Sequence, residues 1–321
     1  MSLADSPVNA FILTQAWVFE HLVEPALHAT GWMEYQEQAF DATEFALLGL
    51  VEIALLVILF RPMEALLPAE HWPSRRPVLI DVLYTLLHRV GFIPLVLFVL
   101  MWPLTFGLEA WLRLHGYIPY TLEDLFPSLN SRPLTTFLIY LVVLDFSGYW
   151  FHRFQHRLEW WWALHGLHHS QRAMSFWTDD RTHFLDDILG AAWLALISLL
   201  IGVPPAQFIL LLMITRILQS FAHANVAIRF GRLGERLLVS PHYHRVHHGM
   251  GTGSQSGDQS CNFAVLFPVW DIIFGTANFM RATPPTGILD QLDGRDYGTG
   301  LVRQQILGFQ RLLRALRGLR A

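Results

Sequence analysis

Ten histidines stand at spacings that let them share one site. His152 and His156 form H-x-x-x-H, and His165, His168 and His169 form H-x-x-H-H. His244, His247 and His248 repeat H-x-x-H-H further along, and His183 and His223 stand between. On a helix, residues three and four apart lie on one face, so each group presents its imidazoles in one direction. Imidazole suits iron, zinc, copper and nickel. Eight or more nitrogens exceed what one ion takes, so two metals are expected. Nine or ten imidazoles shared by two ions leave open positions, which O2 chemistry at non-haem iron requires. A structural zinc site is closed and four-coordinate. Cys261 is the only cysteine, which excludes a cysteine-ligated zinc or iron–sulfur cluster and any intrachain disulfide. His21, His28, His71, His88 and His115 lack partners at helical spacing and read as ordinary core or surface residues.

The elements that carry these histidines must lie in or on a membrane. Hydrophobic residues make up 53% of the 321 and charged residues 15%, against about 25% charged in a soluble protein. Residues 45–60 are apolar except Glu52, residues 90–108 carry no charge, and residues 133–144 are apolar up to Asp145. Each is long enough for one crossing, allowing for polar ends. Residues 188–215 are also uncharged but contain Pro204 and Pro205, which predicts two helices hinged there as an in-and-out hairpin. The expected fold is an all-α integral membrane protein with about four to five transmembrane or re-entrant helices and a cytoplasmic, histidine-rich helical cap. No basic residue precedes Arg61, and every fixed cation is arginine. No secretory signal is expected, and the arginine-free N-terminal stretch faces outside. The third helix then delivers His152 to the cytoplasmic side beside Arg153 and Arg157, and the hairpin returns His223 and the last histidine group to the same face. A bacterial inner membrane is expected. The net charge of −4 says little, because its distribution matters more, and no nucleic-acid partner is expected.

The residues around the histidines carry a resemblance. Asp145, Tyr149, Trp150, His152, Arg153 and His156 spell D-x-x-x-Y-W-x-H-R-x-x-H; Trp162 to Ser170 spells W-x-x-H-x-x-H-H-S. Arg181 and His183 give R-x-H, His223 and Asn225 give H-x-N, and Pro241 to His248 gives P-x-x-H-R-x-H-H. Asn262 and Trp270-Asp271 through Phe274-Gly275-Thr276 close the series. Over roughly residues 130–280 the chain resembles the membrane fatty acid hydroxylase and sterol desaturase superfamily. The resemblance implies a di-iron, O2-dependent membrane oxidoreductase that hydroxylates or desaturates a C–H bond of a lipid or sterol-like substrate. Its electron donor would be cytochrome b5, ferredoxin or a reductase.

The implied ligands of the two iron ions are His152, His156, His165, His168, His169, His223, His244, His247 and His248, with His183 a further family position. His242 faces away from His244 on an extended segment. Where some relatives carry another histidine, four residues before H-x-N, this chain has Gln219. Asp145, Asn225 and Asp271, inside the motifs, are the candidate catalytic residues. Asp145 and Asp271, with Asp179, Asp186 and Asp187, are also carboxylates able to accept the second N–H of a ligating imidazole. Three parts are expected: residues 1–130 with two transmembrane helices, residues 131–280 as the di-iron domain, and residues 281–321 as an amphipathic tail. That tail suits either an anionic membrane surface or packing on the domain. Residues 249–262, rich in glycine and serine, read as a flexible loop. The main alternative is a membrane protein that binds or transports metal. It is disfavoured because transporters place ligands at mid-membrane, whereas these histidines follow helix ends among arginines.

Overall fold

The computed structural model describes residues 7–257 and 260–318. Among them the regular structure is helical, and the only β pairing is two isolated bridges. Helices α1 (Pro7–Val18) and α2 (Glu24–Thr30) precede α3 (Gln36–Leu66), α4 (Leu79–Arg89), α5 (Phe92–Leu114) and the short α6 (Leu122–Leu125). Helices α7 (Pro133–Arg157), α8 (Glu159–His169), α9 (Phe184–Ile201) and α10 (Pro205–His223) carry most of the histidines. Helices α11 (Gly231–Leu237), α12 (Pro241–His247), α13 (Val269–Ile273) and α14 (Leu301–Leu316) complete the described chain; Arg320 of the expected tail lies outside the described residues.

Four helical stretches are long and apolar enough to cross a membrane: Met33–Leu66, Phe92–Leu114, Pro133–Arg157 and Phe184–Ile201. The chain is an integral membrane protein. The first and third stretches run well beyond the apolar cores read from sequence, because polar residues at their ends are absorbed into the helix. Helix α7 thus continues from its apolar half into Asp145, His152 and His156 without interruption. Glu52, charged inside α3, pairs with the buried Arg89 of α4 at 2.7 Å. Gly49 lets α3 cross closely over the end of α4, since a Cβ there would run into the Arg89 carbonyl.

The proline-marked break is real. Gly202, with φ of 62°, ends α9, and Pro204 precedes α10. Asp186, in the first turn of α9, hydrogen-bonds to His165, and His223, the last residue of α10, lies 3.1 Å from His168. Both arms therefore begin and end at the histidines, as a hairpin must. The tail helix α14 packs on the domain through buried Gln304, Gly308 and Arg311. Tyr297, just before it, is fully buried and donates to the Ala163 carbonyl of α8 at 2.8 Å.

Candidate metal centre

Two groups of four histidines meet at the end of the bundle. His152, His156, His169 and His247 form one; His168, His223, His244 and His248 form the other. Within each group the ligand nitrogens lie within 4.8 Å of one another. Their elements explain the convergence. Helix α7 supplies His152 and His156 one turn apart. Helix α12 is set by Pro241 at its first position and by Ser240, whose hydroxyl accepts the Tyr243 N–H at 3.0 Å. Spacing alone predicts that each H-x-x-H-H group faces one way, and the structure departs from this. Adjacent helical residues point about 100° apart, so His168 and His169 enter different groups, as do His247 and His248.

The tautomers follow from the partners. A carbonyl oxygen only accepts, so a ring nitrogen facing one carries the proton. His152 Nδ1 donates to the Phe263 carbonyl at 2.9 Å, His156 Nδ1 to that of Gln255 at 3.1 Å, and His247 Nδ1 to that of Cys261 at 2.7 Å. His223 Nδ1 donates to the Gln219 carbonyl at 2.8 Å. His169 Nδ1 pairs with the Ser254 hydroxyl at 2.8 Å, and His165 Nδ1 with the Asp186 carboxylate at 3.1 Å. In these carbonyl-bound neutral rings Nε2 keeps its lone pair, as metal ligation needs. Residues 249–262, expected as a flexible loop, therefore have a positioning role: Ser254, Gln255 and Cys261 orient three histidines of the first group. Glycine content hid this. Gly253 is needed because a Cβ there would strike the His247 backbone.

Buried ring nitrogens of the two groups fit a metal. His156, His165, His169 and His247 Nε2, His168 Nδ1 and both nitrogens of His248 are buried without a hydrogen-bond partner. Each unpaired buried polar atom costs about 1–3 kcal/mol. A neutral imidazole has one lone-pair nitrogen, and those of His156, His169 and His247 at Nε2 are explicable when a cation takes them. His223 Nε2 lies 3.1 Å from His168 Nε2 and 2.9 Å from His244 Nε2. Burial first, then neighbouring imidazoles, holds His168, His169, His244 and His248 well below the usual histidine range. Burial likewise pushes His247 down to about 3. The rings are neutral, as ligands must be.

The other expected residues sit as follows. His165 belongs to neither group, but its ring lies 5.0 to 5.3 Å from those of His152, His156, His168 and His169. His183 stands apart: its Nδ1 accepts the Leu185 N–H at 3.1 Å and its Nε2 faces the Gln305 carbonyl at 2.8 Å, so it caps α9 and ties it to α14. His242, expected on an extended segment, lies instead in helix α12, and its Nε2 faces the Met280 carbonyl at 2.9 Å. Asp145, expected beside a ligating imidazole, instead accepts the Leu266 and Phe267 N–H groups and the Trp270 indole. Asp271 accepts the Phe263 and Ala264 N–H groups and the Tyr243 and Thr276 hydroxyls. Both aspartates clamp segment 263–267, whose Phe263 carbonyl orients His152. Asn225 brackets Glu70 through both its amide atoms, accepting the Glu70 N–H at 3.0 Å and donating to its carbonyl at 2.7 Å. The carboxylates nearest the histidines are Asp186, on His165, and Asp179, 3.5 Å from His223 Nδ1.

A cavity of about 340 Å3 opens against the histidines between α7, α9 and α10. His152, His165, His168, His223 and His244 form its polar end, and Leu144, Phe151, Trp193, Leu194 and Leu211 are among its apolar walls. Gln219 reaches it too. The cavity is thus mostly apolar, with imidazoles grouped among its lining residues.

Residues 137–276 match the family model described as fatty acid hydroxylase. The chain is 33% identical to human alkylglycerol monooxygenase over 149 residues, 46% of this chain and 31% of that protein. The frog Xenopus tropicalis alkylglycerol monooxygenase is 32% identical over 146 residues, again 31% of its length. Ornithine lipid hydroxylase OlsE of Rhizobium tropici is 29% identical over 136 residues, 42% of this chain and 40% of that protein. The match thus spans about a third of the length of these curated relatives. No solved structure matches.

Proposed function

This chain belongs to the fatty acid hydroxylase/sterol desaturase superfamily, and on that premise we propose that it is a membrane di-iron enzyme that uses O2 to hydroxylate a C–H bond of a lipid. The single observation that carries the reading is the pair of four-histidine groups set against one apolar cavity. Iron bound there supplies O2 activation and removal of hydrogen from an unactivated carbon. His152, His156, His169 and His247 would hold one ion, and His168, His223, His244 and His248 the other. His165, oriented by Asp186, faces the junction with a free Nε2.

The rest of the chain positions and excludes. The Phe263, Gln255 and Cys261 carbonyls lock the tautomers of three ligands. Trp193 is fixed by its indole N–H donating to the Ser147 hydroxyl at 2.8 Å, so that its ring forms a fixed wall. The apolar walls keep water from the reacting carbon and admit an alkyl or acyl chain sideways between helices. Hydroxylation is favoured over desaturation because the named relatives are a monooxygenase and a hydroxylase. The substrate class is a polar-headed membrane lipid, and the electrons come from a reductase, cytochrome b5 or ferredoxin. Residues 131–280 form the enzyme domain, and the histidine end faces the cytoplasm of a bacterial inner membrane.

Storage or transport of a metal needs no hydrocarbon slot beside the ligands. The experiment that separates the readings is lipid profiling of a strain lacking the gene, with metal analysis and reductant-dependent O2 uptake by the purified protein. The enzyme reading requires about two irons per chain and loss of lipids heavier by about one oxygen atom. Bound metal with no lipid change and no O2 uptake would overturn it.

A further inference from the structure

Two neighbouring helices outside the metal centre have their polarity inside out. Helix α14 buries Gln304, Gly308 and Arg311 and exposes Val302, Ile306, Phe309, Leu313 and Leu316, the first of these 68% exposed. Helix α4 buries Asp81, Tyr84, Thr85 and Arg89 and exposes Leu79, Leu83 and Leu86. The two are joined: the Tyr84 hydroxyl donates to Gln304 Oε1 at 3.1 Å and accepts from Gln305 Nε2 at 3.0 Å. Helix α4 runs through Gly91 directly into α5, one of the membrane-crossing stretches. Helix α14 is thereby held at the level where a crossing helix leaves the bilayer. A helix showing leucines outward at that level lies in the lipid interface.

A second observation concerns the side of α14 next to its apolar row. A pocket of about 310 Å3 lies between α14 and residues 294–298, and Arg295, Arg303, Arg311 and Arg314 line it with Asp296 and Gln310. Asp290 takes up Arg295 at 2.8 Å and Arg311 at 2.7 Å, and Arg311 also stacks on the Tyr297 ring. Arg303 and Arg314 have no carboxylate within 4.0 Å among the described residues, so two guanidinium groups remain for an outside anion. Gly298, with φ of 74°, brings the backbone against Arg303; a Cβ there would stand 3.0 Å from its Nε. At about 100° per residue, Arg303 and Arg314 project about a quarter-turn from the apolar row. An anion held by them sits beside residues that would be immersed in acyl chains.

We propose that this pocket binds the phosphate of an anionic phospholipid, with Arg303 and Arg314, about 16 Å apart along the helix, supplying positive charge at its two ends and the row from Val302 to Leu316 in the acyl layer. Guanidinium groups match phosphate oxygens in charge and geometry. A soluble phosphate compound would have no use for the apolar row alongside. The site is independent of the hydroxylase reading and needs no bound iron.

The test uses the full chain in neutral detergent, titrated with short-chain phosphatidylglycerol, short-chain phosphatidylcholine or inorganic phosphate, with binding read by native mass spectrometry. Saturable phosphatidylglycerol binding is expected, tighter than phosphatidylcholine and not displaced by equimolar phosphate. R303Q with R314Q should weaken it about 30-fold, and R303Q alone about fivefold, on a scale of roughly one interfacial contact per arginine. R113Q, at an exposed arginine paired with Glu109, should change nothing. The single variant serves where the double one does not fold. Equal binding of both lipids, displacement of the lipid by equimolar phosphate, or undiminished binding by a folded R303Q would each overturn the proposal.

Discussion

The two four-histidine groups draw on the same two H-x-x-H-H motifs, yet they are held differently. In the first, His152, His156, His169 and His247 each have Nδ1 pinned from outside their own helix, by Phe263, Gln255, Ser254 and Cys261. In the second, His223 is pinned by its own helix at Gln219, while His168 Nδ1 and both His248 nitrogens have no protein partner. Exposure to the cavity runs the other way: His168, His223 and His244 line it, but only His152 of the first group does. The group braced by the loop is the closed one, and the group left looser faces the slot. Under the proposed function, a substrate entering by the cavity would meet the second group first, with the first group as its fixed neighbour.

The largest effects that probe this contrast come from the ligands. His247→Ala and His244→Ala should each lower bound iron from about two to about one per chain and reduce turnover below about a thousandth. Iron analysis of the two variants side by side checks this. If His244→Ala strips both ions, the groups are one unit and the contrast fails. Next come the braces. Ser254→Ala should weaken the first ion and Asp179→Asn the second, each by about 10–100-fold in affinity, as loss of an outer partner does. Chelator titration followed by iron content reads both, and equal loss at both ions in either variant would count against separate bracing.

A smaller effect is expected in the slot. Gly190 lines the cavity with only the Phe151 ring within 4 Å of where its Cβ would be. Gly190→Leu should raise KM about tenfold with iron content unchanged; iron loss would show that slot and ligand frame are not separable. The least effect on the site itself concerns His88, 3.2 Å from Asp187 and 3.3 Å from the hydroxyl of the cavity-lining Thr182. Burial alone would lower it, but hydrogen bonding and charge from Asp187 prevail and raise it to about 9. A raised histidine contributes stability that is full below about pH 6.5 and is lost as pH rises through about 9. Thermal unfolding of the native chain should lose about 2 kcal/mol at most between pH 7 and 9, and His88→Gln should flatten that slope without changing iron content at pH 7. An unchanged slope in the variant would remove His88 from the account.

Much of this arrangement is legible in the chain, because spacing and hydropathy are local. Pro204 and Pro205 mark the hinge, and the hairpin follows from them. The number and spacing of the histidines lead to the expectation of two metals, and the fold gathers eight of them into two groups of four. What stays hidden depends on partners distant in sequence. Backbone carbonyls carry no residue signature, so the roles of Gln255, Cys261 and Phe263 are invisible until the loop is seen folded over the rings. Asp145 and Asp271 look like partners for imidazole by chemistry, and they lie in the right motifs. Their oxygens are instead consumed by amide N–H groups of segment 263–267. His183 carries a motif position but spends both nitrogens on α9 and α14.

The division of each His-His pair between the groups has a further consequence. His168–His169 and His247–His248 are dipeptides, with Cα atoms about 3.8 Å apart by covalent geometry and side chains diverging by about 100°. Each dipeptide works as a molecular ruler laid across the junction, and there are two such rulers from different helices. The offset between the nitrogen groups is then written into bond lengths and helix pitch, which neither temperature nor repacking can stretch. A bundle whose membrane helices flex with the surrounding lipid can in this way keep its two histidine groups in register.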